Sequence, residues 1–121
     1  MDGKLILIVD DNEPTRQLMA GILGSVGFST LQAVDGSTAA KVVREHPVDC
    51  AIVDQYMEPM GGFDFARHLK DYNIEAPPMI MITAHETTDL LQKATEHGFR
   101  QILQKPVTPD KLVLSVERAL R

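Results

Sequence analysis

The chain has no tryptophan, a single cysteine, and aromatic residues at only 5% of 121 positions. One cysteine excludes an internal disulfide and a cysteine-rich zinc site. Cys50 lies inside an apolar run and reads as a small buried hydrophobe. Positive charge is not in excess either: 12 Lys and Arg stand against 17 Asp and Glu, for a formal net charge of −5. That balance argues against nucleic acid or an anionic membrane as the main partner, and it suits cations, Mg²⁺ among them. No signal peptide is visible, and no apolar stretch approaches the roughly 20 residues of a membrane span. A soluble, cytoplasmic protein is expected. Repeats, low-complexity segments and interdomain linkers are absent from the sequence. With 44% apolar and 24% charged residues, the chain has the composition of one globular domain, 1–121, with a real core.

What is present is a set of apolar runs, each ending in a chemically useful side chain. Lys4–Val9 runs into Asp10-Asp11, and Val48–Asp54 ends on a carboxylate. Pro78–Thr83 ends on a hydroxyl, and Phe99–Gln104 is followed by Lys105-Pro106. Near-continuous apolar runs of this length read as parallel strands covered on both faces. Phe28–Val34 is more mixed, as an edge strand is. Between the runs lie helical patterns. The first extends from the Asn12 cap and Pro14 to about Val26, with Leu18, Ile22 and Val26 on one face, Met19 and Leu23 beside them, and Gly27 as terminator. Asp35-Gly36 reads as a turn before a helix over Ser37–His46 with Ala40 and Val43 inward. A loop, Gln55–Gly62, precedes a helix over Phe63–Tyr72 with Phe63, Ala66, Leu69 and Lys70 at helical spacing. Asn73–Pro77 links it to the fourth strand. Thr87–His97 groups Leu90, Leu91 and Ala94. The last helix, capped by Thr108, carries Leu112, Val116 and Leu120. Met1–Gly3 is a short polar lead.

Five βα units with short connections call for a parallel sheet with helices on both faces, too few for a closed eight-stranded barrel. The expected fold is α/β and doubly wound, with five strands in the flavodoxin-like order 2-1-3-4-5. Ligands in such sheets bind beyond the carboxyl ends of the strands, where strand order reverses. That point lies between strands 1 and 3, which carry Asp10, Asp11 and Asp54; Thr83 and Lys105 end the next two strands on the same edge. Gathering carboxylates is costly: a like-charge pair at ~4 Å is unfavourable by about 4 kcal/mol at an effective dielectric of 20. Mg²⁺ and Lys105 are natural remedies. A carboxylate beside Mg²⁺ can attack a phosphoryl group and form an aspartyl phosphate, and it needs no general base because it is already ionised. Mg²⁺, Lys105 and the Thr83 hydroxyl would neutralise charge on the equatorial oxygens of the transition state. Singly, each motif has an ordinary explanation as a helix cap or a solvated loop. Their shared position on one sheet edge distinguishes them.

The acidic pair Asp10-Asp11, Asp54, Thr83-Ala84, Lys105-Pro106, the Met57…Met60…Gly62 spacing and Gly98 together resemble the receiver domain of two-component response regulators, over essentially the whole chain. The resemblance implies that Asp54 accepts phosphate from a sensor histidine kinase or a histidine phosphotransfer protein. It implies that Asp10, Asp11 and Asp54 hold Mg²⁺ with the backbone carbonyl of Tyr56, that Lys105 pairs with the phosphoryl group, and that Thr83 is the switch hydroxyl. Such a chain is a regulatory phosphoacceptor rather than an enzyme, with self-catalysed phosphotransfer and autodephosphorylation. Its readout would be a protein target on the fourth helix, fifth strand and fifth helix, roughly Thr87–Thr95, Phe99–Leu103 and Thr108–Leu120, with a phosphorylation-dependent homodimer also compatible. No effector segment follows the last helix, so a binding surface is the expected output, although a fragment of a longer regulator fits equally. Three positions depart from the family pattern. Ile102 stands where an aromatic residue is usual, Tyr56 is bulky for its place, and Glu58 precedes Pro59 where proline is common one residue earlier. Tyr56 and His85 flank the expected approach of a hydrolytic water and are candidates for setting phosphate lifetime. His46, His68 and His97 have no paired ligand spacing and read as surface residues.

Three other functions compete. A haloacid-dehalogenase-type phosphohydrolase needs a second aspartate two residues after the first, where Tyr56 stands. An FMN carrier needs a Ser/Thr/Gly-rich phosphate loop where Asp10-Asp11 would repel the ligand. A pseudo-receiver that never takes phosphate remains the closest alternative.

Overall fold

Each apolar run of the sequence becomes a strand of one sheet. The computed structural model describes residues 3–121, so the first two residues of the polar lead at Met1–Gly3 lie outside them. In chain order the elements are β1 (Leu5–Val9), α1 (Glu13–Ser25), β2 (Ser29–Ala33), α2 (Gly36–Glu45) and β3 (Cys50–Asp54). They continue with α3 (Gly62–Asp71), β4 (Met79–Thr83), α4 (Thr88–Glu96), β5 (Phe99–Gln104) and α5 (Pro109–Ala119). The strands are all parallel and lie in the order β2-β1-β3-β4-β5, the doubly wound arrangement expected.

Side chains alternate across a strand, so each run supplies two cores. Leu7, Val9, Ala51, Val53, Met79 and Met81 face the side covered by α2, α3 and α4, where they meet Ala39, Phe65, Leu69 and Ala94. Ile6, Ile8, Cys50, Ile52, Ile80 and Ile82 face the side covered by α1 and α5, against Met19, Leu23, Leu112 and Val116. The three central strands are buried on both faces, which is why their sequences do not alternate in polarity. By the same alternation Asp10 and Asp54 continue the row of Ile8 and Ile52, and point to the α1/α5 side.

The helices start where the caps lie. Asn12 accepts from the Thr15 N–H at 2.9 Å, Thr87 from Leu90 and Thr108 from Lys111. Asp35 accepts from Thr38, so Asp35-Gly36 is not a free turn: Asp35 caps α2, which begins at Gly36.

Three side-chain placements differ from expectation. In α1 the buried stripe is Arg16, Met19 and Leu23, while Leu18 is 64% exposed and Val26, just past the helix, is 44% exposed. The apolar rows 18-22-26 and 19-23 compete for the sheet, and burial of Arg16 selects the second. Leu91 of α4 and Lys70 of α3 point outward while their neighbours Leu90 and Leu69 are buried. His97 is not a plain surface residue. It is half-buried, its ring centroid is 4.9 Å from that of Phe63, and Lys93 lies over the same Phe63 ring. No helix among the described residues is long and apolar enough to cross a membrane.

Candidate functional site

The carboxyl ends of β1 and β3 bring Asp10 and Asp54 to the switch point of the sheet. Asp10 immediately follows β1 and is 1% exposed; Asp54 is the last residue of β3 and is 6% exposed. Asp11 sits beside them in solvent. One carboxylate oxygen from each of the three lies within 4.8 Å of the others.

Lys105, just beyond β5, answers this charge. Its Nζ is 3.3 Å from Asp54 Oδ1 and 3.8 Å from Asp10 Oδ2. The lysine is set by its own backbone, whose N–H donates to the Thr83 carbonyl at 2.7 Å. Asp10 Oδ1 accepts the Asn12 N–H at 2.9 Å. Its Oδ2 is the one buried side-chain polar atom without a hydrogen-bond partner among the described residues.

Burial and repulsion shape the acidities. Desolvation, then the neighbouring Asp10 charge, push Asp54 up to about 6 against the pull of Lys105. Asp10 is raised as well, first by burial, with the Asn12 N–H and Lys105 opposing. The protein alone therefore undercompensates its carboxylates. Hard oxygen donors at this spacing fit a hard divalent cation such as Mg²⁺, and Asp10 Oδ2 is the atom such an ion would satisfy.

Two glycines bring the β3–α3 loop close to the site. A Cβ on Gly61 would lie 2.8 Å from the Gln55 carbonyl oxygen, and one on Gly62 would lie 2.9 Å from that of Asp54. Both are shorter than real Cβ contacts, so the loop can turn back over the end of β3 only with glycine there. Tyr56 is 74% exposed, and His85, also exposed, lines the same groove.

Thr83 is placed differently from its carboxylate neighbours. It is 1% exposed at the end of β4, and its hydroxyl donates to Gln55 Oε1 at 2.7 Å. The sequence did not single out Gln55. Its signal is register: Asp54 pairs with Ile82, so the next step along both strands sets Gln55 beside Thr83. Arg16 was likewise missed. Its Nη1 donates to the Asp10 carbonyl at 2.8 Å and its Nε to Gln32 Oε1 at 3.1 Å, tying α1 to the ends of β1 and β2.

Residues 6–117 match the response regulator receiver domain family. The phosphate regulon transcriptional regulatory protein PhoB of Pseudomonas aeruginosa is 33% identical over 122 residues, covering 100% of this chain and 53% of that protein. The sensor histidine kinase RcsC of Salmonella typhi is 32% identical over 92% of this chain, which spans only 12% of the kinase. Among solved structures, the chemotaxis protein CheY4 of Vibrio cholerae superposes with a TM-score of 0.90 at 27% identity, covering 97% of this chain and 98% of that one.

Proposed function

Because the chain belongs to the response regulator receiver domain family of two-component systems, a family of regulatory rather than enzymatic domains, we propose that Asp54 is its phosphoacceptor. The observation that carries this assignment is the convergence of Asp10, Asp11 and Asp54 within 4.8 Å, with Lys105 Nζ 3.3 Å from Asp54 Oδ1. An Asp54 oxygen attacks the phosphorus of a phosphohistidine on a histidine kinase or phosphotransfer protein. The P–N bond breaks, and its electron pair leaves with the imidazole, which takes up a proton. Asp54 becomes an acyl phosphate.

Asp10, Asp11, Asp54 and the backbone carbonyl of Tyr56 would hold Mg²⁺, which when bound supplies positive charge to the phosphoryl oxygens. Lys105 supplies the same from the other side and orients the acceptor oxygen. With a pKa of about 6, Asp54 is mostly ionised at neutral pH and needs no base. The Thr83 hydroxyl turns to the phosphoryl group once it is in place. Output passes through α4, β5 and α5 to a protein target. Ile102, half-buried against the α2/α3/α4 core, stands on that face where the receiver resemblance leads one to expect an aromatic ring, so an aliphatic side chain would transmit the change.

Borohydride reduction after incubation with acetyl phosphate and Mg²⁺ converts an aspartyl phosphate to homoserine and locates it by peptide mapping. Homoserine at position 54 is expected. Homoserine elsewhere would overturn the assignment.

A further inference from the structure

We infer that Gln55 is a latch on the switch hydroxyl, holding Thr83 away from Asp54 until a phosphoryl group outcompetes it. This rests on the phosphoacceptor assignment above and adds a positioning residue to it.

A threonine hydroxyl has one proton to give. Here the short bond goes to Gln55 Oε1 at 2.7 Å. The other contacts of Thr83 Oγ1, to the carbonyl and the N–H of His85, are both 3.3 Å. Thr83 is buried at 1% exposure, and with one proton to give, donating it to a phosphoryl oxygen on Asp54 means giving up Gln55. The glutamine can release it. It is only half-buried and lines an open groove of about 330 Å³ with Tyr56, His85 and Lys93, so its freed oxygen finds solvent. Its backbone, by contrast, is fixed: the N–H donates to Ile82 at 2.9 Å and the carbonyl accepts from Gly62 at 3.0 Å. Only the side chain moves. Because the groove is walled by α4 residues as well, release of Thr83 and the state of the α4 face are physically adjacent.

The consequence is a competition that can be measured. Gln55→Met keeps length and bulk but accepts nothing strong, so the inactive arrangement loses its bond and the phosphoryl-bound one does not. Affinity for beryllofluoride with Mg²⁺, read by calorimetry, should tighten roughly threefold to tenfold, the size of one net hydrogen bond. In a Thr83→Val background the same Gln55→Met change should have no effect. A metal-free readout accompanies it: Thr83→Val should shift the Gln55 side-chain carbonyl ¹³C resonance in the unphosphorylated protein. If wild type binds beryllofluoride and Gln55→Met binds it equally, or gains as much without the Thr83 hydroxyl, the latch is wrong while the phosphoacceptor assignment stands. If no variant binds beryllofluoride, that assignment falls, and the latch with it.

Discussion

Lys105 is shared unequally between two buried carboxylates, with Nζ 3.3 Å from Asp54 Oδ1 and 3.8 Å from Asp10 Oδ2. Its charge pulls the pKa of Asp54 down, but burial and Asp10 outweigh it. Lys105→Met should therefore raise the Asp54 pKa further above 6 in metal-free protein. A ¹³C carboxyl titration reads this directly; an unchanged midpoint would mean that the ammonium is not held at the site in solution.

The raised pKa makes a statement about stability. A folded-state pKa of about 6 against an ordinary 3.8 means that the folded protein binds the Asp54 proton more tightly. Asp54 thus favours folding in acid, and that contribution is lost as pH rises from about 4 through about 6. Above that window the ionised, metal-free site weakens the fold. Asp54→Asn should melt at a higher temperature than wild type near neutral pH with EDTA, and the gap should close below about pH 4. Mg²⁺ should raise the melting temperature of wild type, since it binds the folded state alone, and should do much less for the variant. Equal melting of the two proteins in EDTA across this range would count against the strained carboxylate cluster.

Two glycines, one at the site and one in α1, give a contrast in sign. Gly62→Ala places a Cβ 2.9 Å from the Asp54 carbonyl and 3.2 Å from Met81 Cε. The methionine can yield; the backbone of β3 cannot. A loss of about 1–3 kcal/mol is expected. Gly21, inside α1 with nothing within 4 Å of its would-be Cβ, should gain about 0.5–1 kcal/mol as alanine. Denaturant titration of both variants checks the pair.

Tyr56 and His85 both line the groove beside Thr83. Tyr56 in particular is free to cover the site, being 74% exposed. Removing these side chains opens the path of an attacking water, so Tyr56→Ala and His85→Ala should lose phosphate several-fold faster. If both leave autodephosphorylation unchanged, neither side chain guards it.

The sheet and the identity of the charged tips were legible in the sequence because both rest on local patterns. Continuous apolar runs are buried on two faces, and the residue that ends each run emerges at one edge. Asp10, Asp54 and Lys105 follow from that alone. The orientation of α1 was not legible. Leu18, Ile22 and Val26 make as good a stripe as Met19 and Leu23, and the choice depends on Arg16 reaching the Asp10 carbonyl across six residues. Burying a guanidinium looks unfavourable until its acceptors are known. The Thr83–Gln55 bond was hidden for a related reason. Its partners are 28 residues apart, and they meet through a parallel register that strand composition does not specify. His97 was read as a surface residue because its tilted contact with the Phe63 ring joins the ends of two different helices.

The central claim is that Asp54 takes a phosphoryl group and needs Mg²⁺ to do so. Intact-mass analysis after incubation with acetyl phosphate tests it most directly, with and without Mg²⁺, on wild type and Asp54→Ala. A single phosphoryl adduct on wild type, present with Mg²⁺, lost with EDTA and absent from the variant, is the predicted result. An adduct of equal yield on Asp54→Ala, or one indifferent to Mg²⁺, would contradict it.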